Sequence, residues 1–447
     1  LSLRGIGMKW QLVAVSGVTL VAQLAGYVKL WLMARLFGVS PELDGYYLGF
    51  VLPTVLAGAL SGILQIGVVP LHAELRMNGT EADVRRFEPL ILLGVACTCA
   101  VTSFLLVVGA DFLVPFLASD STAAVRNALR FVLPIAALAV FLNAIGDYFS
   151  YLLAIYNRYV VACSATVANT LVGALLLAAW PEGGLTNLTV GTILGSAVQT
   201  AICLVAAMRH GFRPFGPMPS KQDALATAHE MSKISAWTLP GVVFSNLTVS
   251  IPPVMVAVHG DGAVAAFGYA YRLHTATVLL VSAGLPVVLA RFASLRAQGE
   301  TAAVQRLLHR AGWLSALLGL VAIPIVWLFG ARIVELLLAS GRFDATAVAR
   351  TAEHWIWLTL GLGFYVWGNI ISKYLQADKR PAVLTVHAAL VFLAFLSISK
   401  LLAFMGEYSV SAAFSLTAVL YAILLHVFAQ FGLTRDASKH PPGKFYP

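Results

Sequence analysis

The sequence predicts an all-α polytopic membrane protein with about twelve transmembrane helices in two six-helix repeats. Three observations lead to this prediction. Of the 447 residues, 59% are hydrophobic and 11% are charged, whereas a soluble domain carries about 25% charged residues. Apolar runs long enough to cross roughly 30 Å of hydrocarbon recur along the whole chain. The two halves also share sequence patterns in the same order.

About twelve apolar runs reach the roughly 20 residues that a membrane helix needs. Short polar or basic segments separate the runs, and none of these segments is long enough for a soluble domain. The approximate limits of the runs are 10–37, 44–73, 89–118, 128–156, 159–180, 187–208, 233–258, 263–290, 311–330, 349–373, 381–404 and 408–432.

The positive charge of the chain predicts its orientation. The net charge is +9, but the basic residues lie in short loops and not in one patch, so we expect no nucleic-acid partner. With a cytoplasmic N-terminus, roughly 20 of the 29 Lys and Arg residues fall on the cytoplasmic side, as the positive-inside rule requires. We therefore predict a cytoplasmic N-terminus.

An internal repeat organises the runs. Residues 44–70 and 261–286 share an acidic residue with a nearby glycine, two tyrosines, an apolar stretch with small residues and a proline near its end. Residues 151–161 and 374–383 form a second similar pair. Chains built from such repeats commonly bind substrate where the repeats meet, so the pattern predicts a central cavity.

The repeat also predicts the domain organisation. We expect an N-terminal six-helix lobe over residues 1–215 and a C-terminal six-helix lobe over residues 216–447. Residues 211–233 are rich in proline and polar side chains and are the predicted link between the lobes.

Two cations inside apolar runs are the strongest functional signal. Arg272 lies within the run 263–290, and Lys29 lies at a similar depth in the first run. An arginine at the centre of a membrane helix costs roughly 2.5–3.5 kcal/mol on insertion scales, so such residues usually face a polar cavity. We expect both to bind an anion such as a diphosphate, arginine through a bidentate fork and lysine as a point charge. Alternatively, each pairs with a buried carboxylate and only holds helices together.

Three further polar residues are candidates for the site. Asp147 is the one acid well inside the hydrocarbon on the predicted fourth helix; it could bind a coupling cation or a proton, or it could neutralise Lys29. Asp44 lies at the outer mouth, where it could cap a helix. Asn246 could line the cavity or form an interhelical hydrogen bond.

The sequence contains no recognisable catalytic machinery. There is no P-loop, and no Ser/His/Asp or paired-carboxylate set lies in a credible aqueous site. The four cysteines lie in apolar runs without zinc or redox spacing. We therefore expect neither an enzyme nor a bound metal or cofactor.

Several motifs in order resemble those of the MurJ/MviN family. They are residues 34–70 (ARLFGVSPELDGYYLGFVLPTVLAGALSGILQIGVVP), the Tyr-Asn-Arg turn at 156–158, Tyr-Ala-x-Arg-Leu at 269–273, and residues 341–381. That family consists of lipid II flippases of the multidrug/oligosaccharidyl-lipid/polysaccharide (MOP) exporter superfamily. The resemblance implies a bacterial inner-membrane protein of peptidoglycan or polysaccharide biosynthesis. Such a protein would flip an undecaprenyl-diphosphate-linked glycan from the inner to the outer leaflet by alternating access.

The resemblance also implies site residues, and some differ here. Asp44, as a gating residue, and Arg272 match the family pattern, whereas two substrate-binding arginines of the family's first helix align with Gln23 and Lys29, and another arginine aligns with Ala57. The family usually has two further C-terminal helices, which find no counterpart in this sequence. We therefore expect a related lipid-linked glycan, such as a polysaccharide repeat unit, in place of lipid II itself.

Two other functions remain open. One is a cation-coupled drug or metabolite antiporter of the same superfamily, which should have a more acidic cavity. The other is a non-transporting scaffold in polysaccharide assembly, and the loss of family cations is consistent with it. The expected partners are the lipid-linked glycan, the lipid bilayer, a coupling cation (Na⁺ or H⁺) and polysaccharide-assembly proteins.

Overall fold

The structure is a computed structural model that describes residues 3–156, 158–214, 238–282, 300–377 and 381–439, with the single positions 236, 292 and 295. Every regular element in these ranges is helical. In chain order the helices are α1 (Leu3–Phe37), α2 (Pro41–Ile63), α3 (Val69–Asn78), α4 (Glu81–Val108), α5 (Ala110–Leu117), α6 (Ala123–Ile155), α7 (Tyr159–Ala179), α8 (Gly184–Arg209), α9 (Thr238–His259, bent at Ile251), α10 (Ala263–Ser282), α11 (Thr301–Leu338), α12 (Ala345–Thr359), α13 (Leu362–Ala377), α14 (Pro381–Leu401) and α15 (Ser409–Lys439).

The helices confirm the predicted fold class. Ten helices of the described part are long and apolar enough to cross a membrane, and there are eleven if α12 and α13, which meet at a bend of 50°, count as one span. The remaining predicted run, 263–290, corresponds to α10 up to Ser282, and residues 283–290 lie outside the described residues. A chain in hydrocarbon must satisfy its backbone polar groups internally, and helices do so within one segment.

The chain divides into two compact units. Unit 1 comprises Leu1–Ala265 with Leu337–Ala347, and unit 2 comprises Ala266–Leu336 with Val348–Pro447. The predicted boundary between the lobes near residue 215, and most of the predicted link, fall on residues 215–235, which lie outside the described residues. The lobes 1–215 and 216–447 therefore stay a prediction.

In unit 1, α6 packs against α2, α4 and α8. Two glycines of α2 lie so close to α6 that neither has room for a side chain. A Cβ atom on Gly45 would lie 2.4 Å from the Ala128 side chain, and one on Gly49 would lie 2.5 Å from Val132. Small residues let membrane helices approach closely enough for backbone and side chains to interdigitate. The glycines therefore fix α2 against the central helix of the unit.

In unit 2, α15 packs against α13 and α14. The core of this contact includes Tyr374, Ile371 and Leu425, all fully buried. Gly368 of α13 faces the ring of Tyr421, which a Cβ atom would approach to 2.1 Å. As in unit 1, a glycine permits the tight helix contact.

The second predicted run is not one regular helix. After α2, which contains Pro53, residues Leu64–Val68 form a π-helical turn, and α3 then begins with Pro70 in its first turn. A π-helical turn inserts a wider step into the helix, and such turns and prolines are the usual causes of helix bends. The segment therefore contains a built-in bending point between α2 and α3.

The end of α1 is tied to the turn that follows α11. The Arg342 amide donates a hydrogen bond of 3.0 Å to the Arg35 carbonyl. Gly38 and Gly341 both have φ of +58°. A Cβ atom on Gly38 would lie 2.2 Å from the Arg342 carbonyl oxygen, and one on Gly341 would lie 2.3 Å from the Arg35 carbonyl oxygen. This reciprocal contact brings Leu337–Ala347 into unit 1.

We predict that Gly341→Ala destabilises the protein. The left-handed conformation costs a non-glycine residue about 1–2 kcal/mol, and the added methyl would also overlap the Arg35 carbonyl. The thermal unfolding midpoint in detergent should therefore fall. Gly184→Ala is the matched control, because Gly184 has φ of +48° with no atom within 4 Å of the added Cβ. An equal fall in both variants would mean that the contact with Arg35 contributes nothing.

Candidate functional site

Lys29 lies where four helices of unit 1 meet. Its Nζ on α1 donates a 2.9 Å hydrogen bond to Thr192 Oγ1 on α8. The Tyr46 hydroxyl of α2 lies 3.0 Å from the same Oγ1. A Cβ atom on Gly173 of α7 would lie 3.3 Å from Nζ, so a larger residue there would press on the ammonium group. The ammonium group thus contacts a neutral hydroxyl and a glycine, and the Tyr46 hydroxyl contacts the same Thr192.

No carboxylate of the described residues forms an ion pair with Lys29. The ion pairs of these residues involve other side chains. A lysine ammonium group carries three donors, and one of them is used by Thr192. The pairing alternative for Lys29 therefore finds no support in the described ranges.

Arg272 lies on α10 and its side chain is exposed. Its carbonyl accepts a hydrogen bond from the Thr275 hydroxyl, but its guanidinium group has no hydrogen bond or ion pair to any other described residue. No described residue therefore uses any of the five donors of the guanidinium. Such a group can bind phosphate in a bidentate manner.

Asp44 is almost completely buried and caps a helix other than its own. Its Oδ2 accepts a 2.5 Å hydrogen bond from the Gly262 amide, and its Oδ1 accepts a 2.7 Å hydrogen bond from the Ala265 amide. The N-cap of its own helix is Ser40, whose hydroxyl accepts from the Leu43 amide. A carboxylate at a helix N-terminus satisfies amides that have no partner within the helix and interacts favourably with the helix dipole. Asp44 therefore joins the start of α2 to the start of α10.

The repeat-related acid, Asp261, makes a similar contact. Its Oδ1 accepts a 2.8 Å hydrogen bond from the Thr122 hydroxyl. Thr122 is the N-cap of α6 and accepts from the Val125 amide. Both acids of the internal repeat are thus bonded at helix N-termini at the same end of unit 1.

Asp147 of α6 is bonded to α2. The Ser61 hydroxyl donates a short hydrogen bond to Asp147 Oδ2. No Lys or Arg of the described residues forms an ion pair with this carboxylate, so neutralisation of Lys29 finds no support there. Asp147 therefore has a neutral partner and a position at which a cation or proton could bind.

The structure does not bring Gln23 and Asn246 to Lys29. Gln23 lies six residues before Lys29, which is about 9 Å along the axis and about 240° around it. Asn246 Nδ2 donates a 2.9 Å hydrogen bond to the Val242 carbonyl of its own helix. A Cβ atom on Gly58 of α2 would lie 2.5 Å from Asn246 Oδ1. In the described residues Asn246 therefore serves the packing of α9 on α2, and substrate contact by either residue stays a prediction.

Sequence reasoning missed the hydroxyl partners of the charged groups. Thr192 and Ser61 lie in apolar runs, where a lone Ser or Thr is common and carries no signal. Tyr46 belongs to the repeated pattern of an acid, a glycine and two tyrosines, and that repetition was the one available sign of its role. Within the described residues, no group of three or more His, Cys, Asp or Glu side chains could hold a metal ion.

The fold of this chain is one that solved membrane transporters share. It matches the inward-facing conformation of a multidrug resistance MATE family transporter of the MOP superfamily, with a TM-score of 0.76, 13% identity, and coverage of 93% of this chain and 94% of that one. It also matches the inward closed conformation of the lipid II flippase MurJ, with a TM-score of 0.81, 17% identity, and coverage of 94% and 87%. The chain thus has the two-repeat fold of MOP superfamily transporters.

Sequence comparison identifies the family within this class. The model of the family described as "Lipid II flippase MurJ" matches residues 33–445, and the chain belongs to this family. A relative from Rhizobium meliloti (strain 1021), named a probable lipid II flippase MurJ, is 24% identical over 350 residues, which is 74% of this chain. The chain spans 63% of the length of that relative. The resemblance inferred from the motifs is confirmed, and the family is one of transporters and not of enzymes.

We predict that Asp44→Ala exposes the first turn of α10. Loss of a helix-capping side chain costs about 0.5–2 kcal/mol, so amide hydrogen exchange at Gly262 and Ala265 should rise by roughly 2- to 30-fold. Mass spectrometry of a peptide that covers these residues would measure the exchange. Glu42→Ala is the control, because Glu42 is an exposed acid in the same first turn. Unchanged exchange in Asp44→Ala would show that the carboxylate does not hold this end of α10.

Proposed function

We propose that this chain is a flippase that moves an undecaprenyl-diphosphate-linked glycan from the inner to the outer leaflet of the bacterial inner membrane by alternating access, with a cytoplasmic N-terminus. Membership of the lipid II flippase family supports this function. The observation that carries the proposal is the state of the two cations: neither Lys29 nor Arg272 has a carboxylate partner in the described part of the chain.

A cation in hydrocarbon without a counter-charge is costly, and an anionic ligand removes that cost. A diphosphate carries negative charge on oxygens that accept both a point charge and a planar fork. Lys29 has its ammonium group oriented by Thr192, and Arg272 has an exposed side chain. We infer that each takes part in binding the diphosphate during the transport cycle. A cationic drug would gain nothing from these two groups.

The identity of the glycan follows from the departures from the family pattern. Gln23 and Ala57 replace two arginines and Lys29 replaces a third, so this chain binds its substrate with fewer bidentate groups. Ala57 is also buried within unit 1, where an arginine could not reach a ligand without displacing its neighbours. These differences favour a polysaccharide repeat unit over lipid II, with a lipid II-like precursor as the alternative.

Asp44 and Asp147 are the residues that we assign to gating and to ion coupling. The Asp44 contact closes the end of unit 1 that we assign to the outer face, and release of the substrate there requires this contact to break. Asp147 is the candidate for the coupling cation, Na⁺ or H⁺, because its partner is the neutral Ser61 of the same helix that carries Asp44. Movement of α2 would then connect ion binding at Asp147 with opening at Asp44.

Leaflet-resolved labelling of undecaprenyl-linked glycan, in cells depleted of this protein, tests the proposal. We expect the glycan to accumulate in the inner leaflet and wild-type protein to restore its export. Arg272→Ala should reduce export about 10- to 100-fold, because a hydrogen bond to a charged group contributes about 1.5–3 kcal/mol. Lys29→Arg should be tolerated and Lys29→Ala should not.

Arg332→Ala is the matched control, since Arg332 is an exposed arginine paired with Glu335 three residues away. Membrane insertion of every variant should equal that of wild type. Following lipid II and a polysaccharide repeat unit separately would identify the glycan. An unchanged leaflet distribution of both in depleted cells would favour the antiporter or the scaffold, and normal export by Arg272→Ala would exclude the proposed role of the arginine.

A further inference from the structure

A second buried ionisable cluster lies at the opposite end of unit 1 from Asp44. Glu88 of α4 and His72 of α3 are both buried, with His72 Nε2 2.9 Å from Glu88 Oε1. The Tyr156 hydroxyl donates a 2.7 Å hydrogen bond to the same Oε1. The Tyr148 hydroxyl donates a 2.7 Å hydrogen bond to the Glu88 carbonyl. One carboxylate oxygen is thus shared by an imidazole and a phenol inside the protein.

The surroundings of the pair are apolar. Val68, Phe87 and Phe149 belong to the buried cluster at this end of the unit, and the His72 ring lies 5.7 Å from that of Phe87. Neither nitrogen of His72 forms a hydrogen bond of good geometry within the described residues. A buried charged group costs much more than a neutral one unless it is paired. The charge state of the pair therefore decides how well α3 packs here.

Among the described residues, few other ionisable side chains lie near the His72–Glu88 pair. On α3 the second ionisable neighbour is Arg76, whose guanidinium carbon lies 4.4 Å from the centre of the Tyr156 ring. On α6 and at its end they are Tyr148 and Tyr156. On α8 the buried cluster contains Cys203, a thiol bonded to Ser150 of α6. The Tyr156 hydroxyl is the donor in its hydrogen bond to Glu88 Oε1.

The pair also lies next to the bending point of the second run. His72 is four residues beyond the π-helical turn Leu64–Val68 and lies in the helix that begins with Pro70 in its first turn. The contact with Glu88 is thus made by α3 just past the π-helical turn. A change in this contact would be transmitted as a change in the angle between α3 and α2.

We propose that the His72–Glu88 pair is a proton-binding site that controls the docking of α3 on α4 and α6. With Glu88 ionised and the imidazole neutral, the pair carries one negative charge. A proton from solution adds to the imidazole and forms a neutral ion pair, with no other bond made or broken. Because two interacting groups share that proton, its release is a property of the pair.

The sign of the pH effect follows from this charge balance. The protonated pair is neutral and well suited to an apolar site, so α3 is docked at lower pH. As the pH rises through the range in which the pair releases its proton, one uncompensated negative charge remains and docking weakens. The effect of this site on transport rests on the proposed function, whereas the binding of the proton does not.

Hydrogen exchange of a peptide that covers α3 tests the proposal on the purified full chain. Wild type is compared with Glu88→Gln, His72→Gln and the control Glu74→Gln, an exposed acid on α3. All are measured at the same pH values, from about pH 6 to about pH 8, so that the intrinsic pH dependence of exchange cancels. As the pH rises, we expect the protection of α3 against exchange to fall about tenfold more in wild type and in the control than in Glu88→Gln or His72→Gln.

Infrared difference spectra of wild type over the same range give a second readout that requires no folded variant. Bands of a titrating imidazole and of its carboxylate partner should change together. Absence of these bands, or an equal pH dependence of α3 exchange in all four proteins, would overturn the proposal. Proton binding in a protein that leaves the leaflet distribution of the glycan unchanged would support the site and reject the proposed function, so the two failures are distinguishable.

Discussion

The Asp44 carboxylate is the interaction on which the arrangement of charged groups depends. The first amides of a membrane helix have no partner within the helix, and hydrocarbon offers no water to replace one. Asp44 bonds the Gly262 and Ala265 amides and so fixes where α10 begins. Arg272 follows nine residues after Ala263, about 14 Å along the axis. The start of the helix that carries Arg272 is therefore fixed by an acid more than two hundred residues away in the chain.

A single segment, α2 with its π-helical turn and α3, connects the polar contacts of unit 1. Asp44 lies in the first turn of α2, Tyr46 shares Thr192 with Lys29, Ser61 bonds Asp147, and His72 of α3 meets Glu88. Glycines keep the early part of α2 against α6, while the later part contains the bending point. A segment that is closely packed at one end and has irregular helix geometry at the other is consistent with the proposed connection between Asp44 and Asp147.

The sequence predicted the fold class because hydrophobic runs are a local property of the chain. It also indicated Asp44, Lys29, Arg272 and Asp147 as candidates, since a charge within an apolar run is visible without a structure. Their partners were not predictable, because Gly262 contributes a backbone amide and Thr192 a common hydroxyl, each far from its partner in the chain. Irregular helix geometry was missed for a similar reason: the run 89–118 breaks at Gly109, and hydrophobicity alone does not register such a break.

The turn Leu337–Ala347 belongs to unit 1 although it follows α11 in the chain. When the first nine helices have been synthesised, some residues of unit 1 are therefore still missing. The Arg342 amide and the close contacts of Gly38 with Gly341 become available to α1 only after about three quarters of the chain has been synthesised. Residues 1–265 do not complete unit 1 by themselves. Helix α1 therefore lies in the bilayer without this contact until residues 337–347, in the second half of the polypeptide, have been synthesised.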